Sequence, residues 1–288
     1  MATLREIRRR IASIDNIAQV TDAMRVVAAA RLRRAQENIV ATRPYADKFD
    51  TILGHLISQI ENPTHPLLET RPVNRVCLIS VSADRGLCGS FNSNVIRTTV
   101  QRIEHYQSNA AEVMLICVGR RGFDYFHRRN YTITDDYINI FRQLEFQTAV
   151  AIVEEFEHLY TDKQIDKVEV IYNNFRSAIL QTVLVEPLLP LTPEAPEGDE
   201  LFTDYLYEPG QEAIFEAILA KHLNMQMWKV LLDSNAAEQA ARMAAMENAT
   251  RNAKELIDEL VLQRNRARQT QITTEISEIV SGAAALEG

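Results

Sequence analysis

One segment of the 288-residue chain has the residue types of a phosphate-binding loop. Residues 84–93 read DRGLCGSFNS and lie between a strand-like apolar run and a helical stretch. A glycine-rich turn in that place can offer backbone N–H groups to a phosphate. The segment lacks the GK[ST] ending of a Walker loop and is not GxGxxG. A tight turn before a helix capped by Ser93 is therefore favoured, with nucleotide binding as the alternative.

The nucleophilic and metal-binding side chains form no recognisable constellation. Ser90 does not lie in a GxSxG elbow, and Cys88 has no obvious His or Asn partner in the sequence. The three cysteines form no CxxC pair, and the six histidines are scattered without an HExxH motif. We therefore predict no catalytic residue, no metal site and no cofactor. The rival hypothesis is a stand-alone α/β nucleotide-binding enzyme with a helical oligomerisation arm.

The net charge of −8 is unevenly distributed along the chain. Residues 1–43 carry nine Lys and Arg against four Asp and Glu, whereas residues 44–210 carry 14 against 24. A basic arm on an acidic protein indicates contact with an acidic partner surface. Nucleic acid is disfavoured because aromatic residues are not interleaved with the arginines. The basic contacts that we expect on this arm are Arg8, Arg9, Arg33 and Arg34.

The N-terminal 60 residues repeat apolar side chains at alternating steps of three and four. Such a repeat keeps one seam facing a partner helix, so it predicts a left-handed coiled coil. The alternative is one amphipathic helix on a globular core. Pro44 is expected to interrupt or kink the helix. The predicted seam, in which only Thr21, Arg25 and Thr42 depart from the pattern, is Leu4, Ile7, Ile11, Ile14, Ala18, Thr21, Arg25, Ala28, Leu32, Ala35, Ile39, Thr42, Ala46, Phe49, Leu53, Leu56 and Ile60.

Residues 211–281 contain neither Pro nor Gly, which predicts a second long helix. Paired alanines between positions 236 and 245 would let two helix axes approach closely. The seam turns polar between Leu260 and Ile272, which fits either a solvated face or a contact patch. The apolar seam that we predict on this helix is Ala249, Ala253, Leu256, Leu260, Ile272, Ile276, Ile279, Ala283 and Leu286.

The middle of the chain alternates apolar runs with helical stretches. The runs at residues 76–81, 113–118 and 168–172 predict buried strands of a mostly parallel βαβ sheet, and residues 177–185 an edge strand. Residues 187–210 hold five prolines and six acidic residues with no basic one, which indicates a loop. No stretch approaches 18 consecutive apolar residues, so we expect no direct lipid insertion.

The predicted fold class is α/β, with a long antiparallel coiled coil of the N- and C-terminal helices and an inserted, mostly parallel βαβ domain of Rossmann-like type. The domains are a helix at residues 1–60, an α/β domain at 74–186, an acidic Pro-rich loop at 187–210 and a helix at 211–288. The two terminal helices are expected to pair as one shaft.

Three separated regions of the chain together resemble the gamma subunit of F-type ATP synthase, of bacterial type. Residues 11–24 read IASIDNIAQVTDAM, followed by VAA at 27–29 and LRRAQ at 32–36. The central motif is DRGLCGSFN at 84–92. The C-terminal motifs are AEQAARM at 237–243, NRARQTQIT at 265–273 and EIVSGAAA at 278–285. The resemblance therefore spans essentially the full length.

This resemblance implies a non-catalytic rotor shaft turning inside a ring of alpha and beta subunits. Proton flow through a membrane ring would turn it, and its asymmetry would force each catalytic site through its binding states. The shaft would lie at the cytoplasmic face of a bacterial plasma membrane, as a peripheral subunit. Regulatory cysteines of the chloroplast type are not expected, because residues 187–210 contain no cysteine.

The resemblance also implies two contact sites on this shaft. A catch that binds one beta subunit at a time would comprise Arg268, Gln269, Thr273 and Arg242. A foot that meets the membrane c-ring and the epsilon subunit would comprise Tyr205, Tyr207 and Glu208.

Overall fold

The computed structural model describes residues 3–59, 65–178, 180–191 and 211–287. Its helices and strands, in chain order, are α1 (Leu4–Gln59), β1 (Arg75–Val81), α2 (Phe91–Ser108), β2 (Glu112–Val118), α3 (Arg120–His127), β3 (Ile133–Tyr137), α4 (Phe146–Thr161), β4 (Lys167–Phe175), β5 (Gln181–Leu189) and α5 (Gln211–Glu287). Two short 3-10 turns, Pro66–Leu68 and Ile140–Arg142, complete the described elements.

The five described strands form one sheet in the order β3-β2-β1-β4-β5. β1 pairs in parallel with β2 and β4, and β2 pairs in parallel with β3. β5 is antiparallel to β4 and occupies one edge, as the sequence predicts. The mostly parallel sheet between two long terminal helices confirms the predicted fold class.

The sheet is buried on both faces, which explains its near-continuous apolar strands. Cys77, Ile79 and Val81 of β1 face one core together with residues of α4 and α5. Val76 and Leu78 face a second core formed with α2 and α3. The alternation of side chains along β1 thus divides an uninterrupted apolar run between two helical layers.

The structure divides the chain into two compact units. The α/β unit is Ala29–Arg242. The coiled-coil unit combines the part of α1 up to Ala28 with the part of α5 from Met243. Inside the coiled-coil unit, the hydroxyls of Thr21 and Thr250 lie 2.8 Å apart and form a hydrogen bond between the two helices.

The predicted seam of α1 is confirmed from Leu4 to Thr42, while its members Ala46, Leu53, Leu56 and Ile60 lie outside the described side chains. Every seam position from Leu4 to Thr42 is buried or half-buried, and most of the intervening positions are exposed. The predicted interruption at Pro44 is wrong, because α1 runs through it to Gln59. Pro44 is exposed on α1, where a proline removes one backbone hydrogen bond of the helix.

The predicted seam of α5 agrees with the structure at Ala249, Ala253 and Leu260, which are buried or half-buried, and is wrong at Leu256. Between Met246 and Leu260, the buried or half-buried positions are Ala249 and a series that alternates in steps of four and three: Met246, Thr250, Ala253, Ile257 and Leu260. Leu256 is instead 44 % exposed. A polar seam residue causes the error: Thr250 is buried because its hydroxyl bonds Thr21 and the carbonyl oxygen of Met246. The predicted seam residues Ile272, Ile276 and Ile279 are also exposed, and Ala283 and Leu286 lie outside the described side chains.

The burial pattern of α5 gives a direct prediction for two of its leucines. Leu260 is 5 % exposed and Leu262 is 61 % exposed. Leu260→Ala should lower the free energy of unfolding of the coiled-coil unit by about 2 kcal/mol, through lost apolar contacts and a cavity. Leu262→Ala should change it by less than about 0.5 kcal/mol. Urea unfolding followed by far-ultraviolet circular dichroism measures both, and equal effects would contradict the difference in burial between the two leucines.

Candidate functional site

Hydrogen bonds from several elements hold the loop after β1 in place. We call this loop and the side chains that hold it the brace. The Oδ1 atom of Asp84 accepts from the backbone N–H of Arg120 at 3.1 Å and of Asn139 at 2.7 Å. Asp84 thereby caps the start of α3 and holds the end of β3. The Oδ1 atom of Asn92 accepts from the N–H of Ala83 at 2.9 Å, which closes the loop on itself. These polar side chains satisfy the chain's own backbone groups.

Cys88 lies at the centre of this loop and is not a nucleophile. Its side chain is buried beside Ala83, Phe91 and Ala237, the last of them on α5. Burial raises the pKa of the Cys88 thiol, although the guanidinium of Arg242 lowers it. The raised pKa keeps the group a thiol at neutral pH, and the thiolate is the reactive form. Cys88 therefore packs the loop against α5.

Two glycines near the loop serve close packing of α3. Gly119 has a φ of +90°, and a Cβ there would lie 2.0 Å from the carbonyl oxygen of Ser82. The N–H of Gly122 donates to Oγ of Ser82 at 2.8 Å. The predicted Ser93 cap is wrong, since α2 begins at Phe91. These contacts support the tight-turn interpretation of residues 84–93.

Arg242 lies in this brace and not on an exposed contact patch. Its side chain belongs to the α/β unit, where the residue is only 9 % exposed. Nη1 donates to Oε1 of Glu238, and Nη2 donates to the carbonyl oxygen of Gly86 at 3.2 Å. Arg242 is therefore corrected from a catch residue to an internal link between α5 and the loop.

Glu238 is a buried residue of the brace that the sequence reasoning missed. Burial raises the pKa of Glu238, although the guanidinium of Arg242 lowers it and the carboxylate of Asp84 raises it further. Its Oε2 atom is buried without a hydrogen-bond partner in the described structure. The spacing of four residues between Glu238 and Arg242 was the available signal, since such pairs meet on one helix face.

The remaining catch residues lie together on an exposed stretch of α5. Arg268, Gln269 and Thr273 are all exposed. Oγ1 of Thr273 donates to the carbonyl oxygen of Gln269 at 2.9 Å, a bond within the helix. The Arg268 guanidinium forms no ion pair within the part of the chain that the structure describes. The side chains of Arg268 and Gln269 are thus available to an outside partner.

The expected basic contacts also lie on exposed helix surface. Arg8, Arg9, Arg33 and Arg34 of α1 are all exposed. Nε of Arg33 lies 3.1 Å from Oε1 of Glu37, but both side chains are largely in solvent. Such a surface pair contributes little to stability. The expected foot residues Tyr205, Tyr207 and Glu208 lie outside the described residues.

The α/β unit contains one further buried ionic cluster, which the sequence did not indicate. The carboxylate of Glu169 accepts from Arg102 at 2.7 Å and from the hydroxyl of Tyr106 at 2.6 Å. Nζ of Lys167 lies 2.9 Å from the same carboxylate. Burial raises the pKa of Glu169, but these hydrogen bonds outweigh it and hold the pKa below the ordinary value. The satisfied cluster fastens α2 to β4.

Among the residues that the structure describes, no three His, Cys, Asp or Glu side chains are grouped so that they could hold a metal ion. Over the same ranges, no helix has both the length and the apolar character needed to cross a bilayer. The candidate site residues therefore lie either in internal hydrogen-bonded contacts or on exposed helix surface.

Comparison with known proteins agrees with this geometry. A family model described as ATP synthase matches residues 3–286. An ATP synthase gamma chain of Prosthecochloris aestuarii is 48% identical over 292 residues, covering 100% of both chains. The chain belongs to the ATP synthase gamma chain family. A second gamma chain, from Chlorobium phaeobacteroides, is also 48% identical over the full length of both chains.

Solved structures show the same fold. A central-stalk and c-ring structure of the Tetrahymena thermophila mitochondrial ATP synthase matches with a TM-score of 0.60 and 26% identity, covering 80% of this chain and 99% of that one. A chain of the Euglena gracilis mitochondrial OSCP/F1/c-ring structure gives a TM-score of 0.70 at 19% identity, covering 98% and 94%.

Family membership decides between the two functional hypotheses. The chain is a rotor-shaft subunit of an F-type ATP synthase and associates with that complex. It is a non-catalytic subunit, so the stand-alone enzyme hypothesis is set aside. The motif at residues 84–92 then has a structural role, because it belongs to the brace that connects this loop to α3 and α5.

Proposed function

We propose that the chain transmits rotation through an exposed face of α5, which contacts the beta subunits one after another. One observation carries this proposal: residues 268–282 are exposed throughout, although four of them are large and apolar. These four are Ile272, Ile276, Ile279 and Val280. Their spacing places them along one side of a helix. An exposed apolar stripe of this size marks a surface that is buried against a partner protein.

The partners of this proposal are the alpha and beta subunits of the catalytic head around α5, together with the epsilon subunit and the membrane c-ring. The Euglena gracilis structure that resembles this chain is described as containing OSCP, F1 and the c-ring, which supports such an assembly. The shaft would then be a peripheral subunit at the cytoplasmic face of a bacterial plasma membrane, with a proton as the coupling ion.

The polar patch of Arg268, Gln269 and Thr273 adjoins the apolar stripe. Arg268 supplies up to two parallel donors to a carboxylate, a strong and directional contact. Gln269 adds a neutral hydrogen bond, while Thr273 already donates within its helix. Because the patch faces one side, each orientation of the shaft would favour a different conformation of the neighbouring catalytic site. Rotation would thus shift the populations of those conformations.

Two further contacts complete the proposal. Arg8, Arg9, Arg33 and Arg34 would meet acidic loops of the catalytic head, because their guanidinium groups are exposed along α1. Tyr205, Tyr207 and Glu208 would form the foot, in which tyrosines combine an apolar ring with a polar hydroxyl. Arg242 is excluded from the catch because its donors are already used inside the chain.

The proposal predicts the effect of removing the polar patch. The double variant Arg268→Leu, Gln269→Leu should lower ATP synthesis and hydrolysis by the assembled complex by about tenfold or more, as expected for a lost charged hydrogen bond. Both rates are measured on purified complex, after its content of the chain has been quantified. Lys254→Leu, Gln263→Leu is the matched control, since both residues are exposed on α5. Full activity in the patch variant would rule out the catch role.

Co-purification tests the assembly itself. The chain should be recovered with alpha and beta subunits in a stable complex that hydrolyses ATP, whereas the isolated chain should turn over no nucleotide. Failure to form that complex with matched subunits would contradict the proposed partners.

A further inference from the structure

Two carboxylate oxygens of the brace are buried without a hydrogen-bond donor. They are Oε2 of Glu238 and Oδ2 of Asp84, and neither has a partner in the part of the chain that the structure describes. The other oxygen of each group is occupied. Oε1 of Glu238 accepts from Arg242, and Oδ1 of Asp84 accepts from two backbone N–H groups. A buried acceptor without a donor costs free energy, so this arrangement calls for a physical reason.

The two carboxylates belong to one cluster where α5 meets the loop after β1. Arg242 binds both sides of this contact, because Nη1 donates to Glu238 and Nη2 donates at 3.2 Å to the carbonyl oxygen of Gly86. Burial raises the pKa of Glu238, although Arg242 lowers it, and the carboxylate of Asp84 raises it further. Two buried carboxylates of this kind favour a state in which they share one proton. Such a proton would also supply the missing donor.

The other elements around this cluster contribute charged or titratable groups. From α1, the exposed guanidinium of Arg31 lowers the pKa of Glu238. From α3, the Arg121 guanidinium lies beside the loop, since a Cβ on Gly86 would come within 2.8 Å of its Nη2. The thiol of Cys88 stays neutral, because burial raises its pKa. Burial and the neighbouring carboxylate outweigh these cations, so the pKa of Glu238 stays above its ordinary value.

We propose that Glu238 and Asp84 form a proton-binding pair that fastens the loop to α5 as pH falls. The proton comes from solvent, binds Oε2 of Glu238 and is donated in a hydrogen bond to Oδ2 of Asp84. An O–H donor to a carboxylate forms a short bond, roughly twice as strong as a neutral one. Glu238 lies one turn before the end of the α/β unit at Arg242. The pair therefore tightens the last turn of α5 in that unit at mildly acidic pH and loosens it at alkaline pH.

Hydrogen exchange in the isolated full chain tests this switch. The reporters are the backbone amides of Ala83, Arg120 and Asn139, which donate to side chains of the brace. Their protection factors should rise by at least about fivefold from pH 8 to pH 5, as expected for one gained charge-assisted hydrogen bond. Glu238→Gln carries an amide donor in place of the proton, so its protection should be high already at pH 8. Glu247→Gln is the matched control, since Glu247 is exposed on the same helix, and should keep the parent profile. Equal protection of the parent at both pH values would overturn the proposal.

A reciprocal variant distinguishes a shared proton from two independent side chains. In Asp84→Asn, Oδ1 still accepts from the two backbone N–H groups while Nδ2 donates to ionised Glu238, so protection should also be high at pH 8. In the double variant Glu238→Gln, Asp84→Asn, two amide donors face each other. Its protection should therefore fall below that of either single variant at both pH values. Additive effects of the two substitutions would overturn the proposal, because side chains that do not interact act independently.

The titration of Glu238 gives a readout that packing alone does not move. Carbon-13 NMR of the labelled carboxyl should show a pKa above the ordinary value of Glu. The pKa should fall in Asp84→Asn, because a negative charge is replaced by a donor to the ionised form. An unchanged pKa in that variant would overturn the shared proton. The parent titration and Glu238→Gln decide the proposal even where Asp84→Asn does not fold. None of these measurements uses a partner subunit, so their outcome is independent of the proposed function.

Discussion

Replacing Arg242 with Met is expected to destabilise the α/β unit by about 3–5 kcal/mol at neutral pH, because a buried carboxylate loses its partner. The carboxylate is that of Glu238, which accepts from Nη1 of Arg242 and is itself buried. The variant also removes the donor to the Gly86 carbonyl oxygen. Urea unfolding followed by the fluorescence of Trp228 measures the effect, since this single tryptophan packs against the core of the unit.

The loss should depend on pH with a definite sign. Burial raises the pKa of Glu238 in the folded chain, and Arg242 opposes that rise. Without Arg242 the pKa of Glu238 rises further, so the folded state binds its proton more tightly than the unfolded state. Stability then falls as pH increases from the unfolded pKa of Glu to the raised folded pKa. Arg242→Met should therefore cost less at pH 5 than at pH 8.

The double variant Arg242→Met, Glu238→Met is the control for this mechanism. It removes the buried charge together with its partner, and replacing both members of a buried pair by apolar residues is often nearly neutral. We expect it to recover most of the lost stability and to remove the added pH dependence. A double variant as unstable as Arg242→Met, with the same pH profile, would show that the Gly86 contact and not the stranded carboxylate dominates.

The features that repeat with a fixed period were predictable from the sequence. The seam of α1 keeps its 3.5-residue period from Leu4 onward. The buried strands are recognisable in the sequence as apolar runs. β3 was missed because Ile133–Tyr137 contains two aspartates and lies at an edge of the sheet with one neighbour, so no apolar run marks it. Its half-buried and exposed positions alternate over only five residues.

The features that depend on single polar contacts were not predictable in the same way. Thr250 lies in the seam because Thr21 supplies a hydroxyl partner across the helix pair, and this choice moves the seam from Leu256 to Ile257. Arg242 looks like an outward contact in sequence, yet a glutamate one turn earlier and a loop carbonyl 156 residues away hold it inside. Partners so distant in sequence are fixed only by the completed fold.

Gly119→Ala is expected to destabilise the α/β unit by about 4 kcal/mol or more, since strained backbone and overpacking add. Gly119 joins β2 to α3 with a φ of +90° and a ψ of 140°. An added Cβ would lie 2.0 Å from the carbonyl oxygen of Ser82, a backbone atom that cannot rotate away. Relief would require the end of β1 to move from β2, where the N–H of Ser82 donates to the Val118 carbonyl oxygen at 2.8 Å. Urea unfolding monitored through Trp228 fluorescence gives the change.

Two other glycines provide graded controls for this clash. At Gly122 the added Cβ would meet Oγ of Ser82 at 2.9 Å, and a serine hydroxyl can rotate, so Gly122→Ala should cost less than Gly119→Ala. At Gly282 nothing lies within 4 Å of the added atom, and the residue is inside α5. Gly282→Ala should therefore stabilise that helix by up to about 1 kcal/mol, through the higher helix propensity of alanine. Of these three glycines, only Gly119 combines a positive φ with a backbone obstacle. A Gly119→Ala chain that unfolds at the parent's urea midpoint would therefore mean that β1 and β2 can separate at this end without loss.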